Sequence, residues 1–258
     1  MTEHATIAEV EDALAGLAEP APAGLAGRVL AAVGLADRVT LVDGPLGPLR
    51  ILFTDRGVSG VVPDERWEEY VAHRATRPFA EVAALPPGLA RQVARALASG
   101  RLGNLPVDLS GLSEFQQAVL RKTAEIPPGE LRPYGWVARE IGARGAVRAV
   151  GSALNRNPVP ILVPCHRVSR SDGHIGGYGY GPEMKRALLA AEGLDPDMVE
   201  DWAARRVRYV GNQTTGIFCL PTCRHAKRSS DTNLVEFVDR RQAESAGYRG
   251  CKVCRPAA

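Results

Sequence analysis

Four of the five cysteines crowd into the last 40 residues, as Cys219-x3-Cys223 and Cys251-x2-Cys254. Two close pairs of thiols suit one tetrahedral zinc better than a disulfide framework. The fifth, Cys165, sits in the run Pro164-Cys165-His166-Arg167-Val168. A lone cysteine usually packs as a small apolar residue. Here His166, Arg167 and Arg170 lie beside it in sequence, and positive neighbours predict a thiolate with its pKa drawn from about 8.5 toward neutrality. Such a sulfur is a nucleophile. Upstream, Asn157-Pro158-Val159-Pro160 forbids a helix and leads into a fixed turn at the cysteine. Downstream, Gly176-Gly177-Tyr178-Gly179-Tyr180-Gly181 forms a loop able to approach a flat ligand closely. Its glycines match neither a dinucleotide fingerprint nor a P-loop.

The elements that must position these groups belong to a chain of 258 residues, 45% hydrophobic, 24% charged and 5% aromatic. That length allows one large or two small domains with real cores. No apolar run is long enough for a transmembrane helix. Met1 to Glu11 carries acids and lacks the apolar stretch of a signal peptide. A reducing, cytoplasmic setting is expected, without a membrane partner. Net charge is +3, yet seven arginines between 132 and 170 face a single acid, Glu140. This points to a polyanion, against the plainer reading of a solvated surface in a chain with 28 arginines and 4 lysines.

Ile7, Val10, Leu14 and Leu17, then Leu25, Val29, Leu30 and Val33, recur at helical spacing. Strand-like runs follow at Val39–Val42, Leu49–Phe53 and Val58–Val62, with turns at Asp43-Gly44-Pro45 and Asp55-Arg56-Gly57. Helices are predicted over Asp64–His73, Gly88–Ala98 and Ser113–Ala124. Two short helices, Trp136–Ile141 and Ala146–Asn155, flank the turn Gly142–Gly145, the pattern of a helix-turn-helix. A last helix opens at Pro182 and closes at Glu192-Gly193. The fold class is α/β in the broad α+β sense. Residues 1–38 read as an N-terminal helical extension and 39–106 as a strand-rich scaffold. Residues 107–197 read as a mostly helical domain carrying Cys165, and 205–258 as a zinc module.

With these words in place, Asp108 to Gly193 resembles the C-terminal domain of the O6-alkylguanine-DNA alkyltransferases, the methylated-DNA–protein-cysteine methyltransferases. The match is carried by Pro164–Val168, Asn157–Pro160, Arg148-Ala149-Val150-Gly151 and the glycine-tyrosine loop. The resemblance implies irreversible, single-turnover transfer of the alkyl group of O6-alkylguanine, or of O4-alkylthymine, to Cys165, with no organic cofactor. His166 would take the thiol proton, Glu192 would orient His166, and Asn157 would tie the helix-turn-helix to the active-site turn. Tyr134 would help turn the nucleotide out and donate toward the leaving guanine. Arg148 would fill the vacated place in the stack, on a slim helix face made by Ala146, Ala149 and Gly151. Val168, Tyr178 and Gly179 would line the substrate pocket. The implied partner is double-stranded DNA carrying alkylated guanine, met by a monomer.

The cysteine pairs sit in Thr214–Arg224 and Gly247–Pro256, words that resemble the zinc domain of the adaptive-response protein Ada. This implies one Zn²⁺ held by Cys219, Cys223, Cys251 and Cys254, with Cys219 in the place of a methyl acceptor for methylphosphotriesters. Six basic residues near the ligands, Arg224, Lys227, Arg228, Arg249, Lys252 and Arg255, are expected to face phosphates. A structural module that only adds DNA affinity is the alternative at this site. For the whole chain the alternative is a methyl-responsive DNA-binding regulator or damage sensor. The absence of an AraC-like region after the zinc words counts against a regulator, and the presence of Cys165 against a non-reacting sensor.

Overall fold

A computed structural model describes residues 25–73, 77–82 and 84–256. The helix expected over Ile7 to Leu17 lies outside the described residues. The second N-terminal periodicity forms α1 (Leu25–Ala32), none of whose residues is buried.

The three strand-like runs become β1 (Asp37–Gly44), β2 (Gly47–Thr54) and β3 (Gly57–Pro63), an antiparallel meander. A fourth strand, β4 (Phe79–Glu81), joins parallel to β1 and completes the order β3-β2-β1-β4. Period-two alternation divides the labour of β2. Ile51 and Phe53 enter the main core, while Leu52 turns to the other face and packs with Val39, Val62 and Trp67. Trp67 opens α2 (Trp67–His73).

Next comes α3 (Pro87–Ser99), which starts on two prolines and stops at Gly100 in the left-handed region, φ 61°. Ser113 caps α4 (Glu114–Ala124) with a reciprocal box: its Oγ accepts from Gln116 N, and its own N–H donates to Gln116 Oε1 at 3.0 Å. A short strand, β5 (Arg132–Pro133), leads into α5 (Tyr134–Glu140). This helix begins two residues before its expected start, because Pro133 takes the cap and leaves Tyr134 on the first turn. The helix-turn-helix closes with α6 (Val147–Asn155). Cys165–Arg167 forms a 3-10 turn that runs into β6 (Val168–Ser169), paired parallel with β5. Then α7 (Pro182–Ala191) and α8 (Pro196–Ala204) follow. The C-terminal part holds β7 (Tyr209–Asn212), β8 (Ile217–Cys219), β9 (Leu234–Phe237), α9 (Arg240–Ser245) and β10 (Arg249–Gly250), with sheet order β10-β8-β7-β9.

One buried cluster runs without a break from Ile51, Phe53 and Val61 on the sheet to Val119, Leu120, Val137 and Val150 on α4, α5 and α6. The scaffold also grips the site through its backbone. Val61 N donates to Pro158 O at 2.9 Å, within the turn that leads to Cys165. Among the described residues no helix is long and apolar enough to cross a membrane.

Candidate active site and thiolate cluster

Asn157 fastens the turn. Its Nδ2 donates to Val163 O at 2.9 Å and to Cys165 Sγ at 3.2 Å, while its Oδ1 accepts from Val159 N. Between these bonds Ile161 is held at φ 72°, a costly place for a β-branched residue that only a closely constrained loop maintains.

Glu192 caps the C-terminal end of α7 and turns its carboxylate inward. Oε1 lies 2.7 Å from His166 Nε2, Arg167 Nε bonds both oxygens at 3.0 Å, and Gly129 N donates to Oε2 at 3.0 Å. Burial opposes the charge, but the bonds from His166 and Arg167 outweigh it and pull the Glu192 pKa down to about 2. A carboxylate can only accept, so His166 Nε2 must carry the hydrogen and Nδ1 keeps its lone pair. That Nδ1 is buried with no protein partner. Burial holds the His166 pKa below its ordinary value, which keeps the ring neutral near pH 7.

The environment of Cys165 differs from the expectation. Burial pushes its thiol up rather than down, offset in part by Asn157, by Lys185 and by backbone N–H groups of its own turn. The two arginines beside it in sequence do not reach it. Arg167 is 1% exposed and spends its donors on Glu192, Ile126 O and Gly100 O. Arg170 points outward and pairs with Asp172. A 3-10 turn throws successive side chains in different directions, so closeness in sequence is not closeness in space.

Cys165 opens into a cavity of about 320 Å³ lined by Tyr134, Gly151, Asn157, Tyr178 and Gly179. Val168 does not line it. Its side chain is fully buried in the main core, because β6 must pair with β5 through Arg132↔Val168. Burial pushes the Tyr134 phenol up, and a charged Cys165 sulfur adds to the shift, so Tyr134 is a proton donor at neutral pH. Tyr178 is held protonated for the same reasons. On the outer side of α6, Arg148 and Ala149 are exposed, while Ala146 and Gly151 are half-buried.

The arginine-rich stretch is less uniformly a surface than its composition implied. Arg132 and Arg167 are buried, and Arg139 donates to Arg255 O at 2.7 Å. Arg144, Arg148 and Arg156 remain exposed with no ion pair among the described residues.

Lys185, which the sequence did not single out, lies close to the site. It is 1% exposed, and its Nζ donates to the carbonyls of Val168, Ile175 and Gly177, tying β6 to the glycine-tyrosine loop. Burial brings its pKa down to about 8. The only sequence signal was that it is one of just 4 lysines in a chain with 28 arginines.

The sulfurs of Cys219, Cys223, Cys251 and Cys254 all lie within 4.8 Å of one another, and every one of these residues is buried. None is in a disulfide. Backbone N–H groups of Leu220 and Val253 point at the sulfurs of Cys254 and Cys251, as they do toward thiolates. Such a set fits one zinc ion and little else: four soft, anionic donors would repel one another without a cation between them. Of the six basic residues expected to face phosphates, two are exposed but already bonded within the protein. Lys227 donates to Gly129 O and Arg255 pairs with Glu140. A cavity of about 800 Å³ lies between this module and the helical part, over Trp202 and Tyr209. No cysteine lines it among the described residues.

Residues 114–194 match the family model "6-O-methylguanine DNA methyltransferase, DNA binding domain", and residues 198–257 match "Metal binding domain of Ada". A methylated-DNA–protein-cysteine methyltransferase of Mycobacterium bovis is 39% identical over 153 residues, 58% of this chain and 89% of the relative. This chain belongs to the methylated-DNA–protein-cysteine methyltransferase family. A member from Mycolicibacterium paratuberculosis is 52% identical over 89 residues, so that match spans about half the relative's length (53%) and 34% of this chain. Among solved structures, the methyltransferase OGT of Mycobacterium tuberculosis in complex with DNA is similar at 34% identity, with a TM-score of 0.50. The similarity covers 63% of this chain and 98% of that one. In this methyltransferase the family's DNA-binding domain is followed directly by an Ada-type metal-binding domain.

Proposed function

We propose that this chain repairs DNA by moving the alkyl group of O6-alkylguanine irreversibly onto Cys165. The observation that carries the reading is the relay Glu192–His166, whose outer nitrogen is a buried lone pair next to the nucleophile's turn. His166 Nδ1 takes the thiol proton, directly or through one water, and Glu192 holds the resulting imidazolium. Sulfur attacks the alkyl carbon, the S–C bond forms as the C–O6 bond breaks, and the electron pair leaves on guanine. Tyr134 donates toward that leaving group. The thioether product has no usable leaving group, so each molecule acts once.

Exposed Arg148 enters the base stack while the guanine occupies the Cys165 cavity. Flipping costs a few kcal/mol, least where pairing is already weak. Residues 39–106 act as the scaffold, 107–197 as the catalytic part and 205–258 as the zinc module. Free thiols throughout the described residues support a reducing, cytoplasmic setting. The test is a repair time course with the O6-methylguanine duplex in excess. The amplitude should equal the protein added, and Cys165→Ser should remove it. Continued turnover would show a different reaction.

A second reading concerns Cys219. It lines a small cavity of about 120 Å³ with Asn212, Thr215 and His225. Cys251 and Cys254 each accept a backbone N–H, but none reaches Cys219 among the described residues. An undamped sulfur is the better nucleophile. Cys219 would take methyl from a methylphosphotriester, S–C forming as C–O breaks and the phosphodiester leaving. Zinc supplies charge balance for the four sulfurs when bound.

A further inference from the structure

The C-terminal module is not tethered loosely; it grips the segment that holds the catalytic carboxylate. Lys227 lies one turn beyond Cys223, its N–H donating to Cys223 O at 3.0 Å. Its Nζ reaches across to Gly129 O, also at 3.0 Å. The N–H of that same Gly129 donates to Glu192 Oε2 at 3.0 Å. Only glycine fits this place. Its φ is 67°, and a Cβ there would stand 2.9 Å from Glu192 O and 3.5 Å from Lys227 Nζ. Two residues on, Leu131 N donates to Oγ1 of Thr222 at 2.8 Å, with Thr222 itself adjacent to Cys223 and buried. Leu131 then enters β5, which pairs with Val168 just after the Cys165–Arg167 turn. On the far side, Trp136 Nε1 donates to Cys254 O at 2.9 Å.

We propose that Lys227 and Thr222, flanking the thiolate ligand Cys223, are positioning residues for alkyl transfer, acting through Gly129 and Leu131 on Glu192 and His166. The proposal rests on the reading of Cys165 as the acceptor. It makes the zinc module part of the O6-alkylguanine machinery rather than a passenger that only adds DNA affinity. When the Lys227 bond is lost, Gly129 drifts and its N–H leaves the carboxylate. Glu192 then has one donor fewer and holds the His166 imidazolium more tightly, so His166 stays protonated to higher pH. Misplacement of about an ångström remote from the chemistry can cost about a hundredfold in rate; one lost anchor of two should cost about tenfold.

The test compares the full, zinc-loaded chain with Lys227→Met and Lys227→Arg. Three readouts are needed: Cys165 alkylation by free O6-benzylguanine across pH, the His166 ring titration by NMR, and zinc per chain. Lys227→Met should slow alkylation about tenfold near neutrality and move the acid limb and the His166 titration to higher pH. Zinc should stay at one per chain, and Lys227→Arg should restore both rate and profile. An unchanged His166 titration in Lys227→Met would overturn the proposal. So would loss of zinc from that variant, which would assign Lys227 to the module's own fold. If the wild type fails to alkylate Cys165, the functional reading falls, while the His166 titration still decides the positioning role.

Discussion

Glu192 binds His166, Arg167 and Gly129 at once, and its effect on stability has a definite sign. Its pKa is depressed from 4.5 to about 2 in the folded chain. The stabilisation is therefore present above about pH 4.5 and lost as pH falls through about 2, amounting to about 3 kcal/mol. His166, lowered by burial, acts in the same direction: below its ordinary pKa of 6.5 the unfolded chain takes up a proton that the folded one resists. Urea unfolding of wild type should show stability dropping as pH is lowered, and Glu192→Gln should be less stable at pH 7 with a flatter acid slope. An unchanged slope would remove Glu192 from this role. Arg148 is tested by contrast of substrates. Arg148→Ala should slow repair in duplex DNA at least tenfold more than reaction with free O6-benzylguanine, because the free base needs no extrusion; equal losses would place Arg148 elsewhere. At this scale the word holding Cys165 and His166 was legible in sequence because it is contiguous, whereas Glu192, 26 residues from His166, was named only by the family resemblance. Lys185 and the true partners of Arg167 were not legible, because those contacts span from 8 to 67 residues and depend on which way a tight turn throws its side chains.

Elements were more legible than contacts. Strand runs, the Ser113 cap and the Pro182 and Gly193 boundaries follow from local chemistry, and each appears where expected. The α5 start was displaced because Pro133 serves as the cap, which hydrophobic periodicity does not reveal. Val168 was misassigned because short parallel pairing of β5 with β6 has almost no sequence signature. The exposed face of α6 gives a prediction of its own. Ala149 is exposed next to Arg148, with small residues around it. Ala149→Glu should weaken duplex binding about tenfold, by crowding a minor groove about 6 Å wide and by repelling phosphate. Reaction with free O6-benzylguanine should be unaffected. Fluorescence anisotropy with labelled duplex measures the first, and an unchanged affinity would mean that α6 does not face DNA.

For the whole molecule, the sequence showed two chemistries side by side but not that they are joined. The bonds from Thr222, Lys227 and Cys254 to Leu131, Gly129 and Trp136 bridge 91 to 118 residues. The four cysteines are themselves the core of the C-terminal sheet, with Val207, Val210 and Leu220. One zinc per chain is expected by elemental analysis, and removing it by chelation should lower the melting temperature and expose 207–254 to hydrogen exchange first. Zinc content near zero in protein purified without chelator would contradict the thiolate site. The central claim is that the molecule is consumed in one alkyl transfer at one sulfur. Peptide-resolved mass spectrometry after reaction with O6-methylguanine duplex tests it most directly. One methyl group per chain is expected on the peptide carrying Cys165, and none in Cys165→Ser. A methyl group found on another residue, or product formed with Cys165 unmodified, would contradict it.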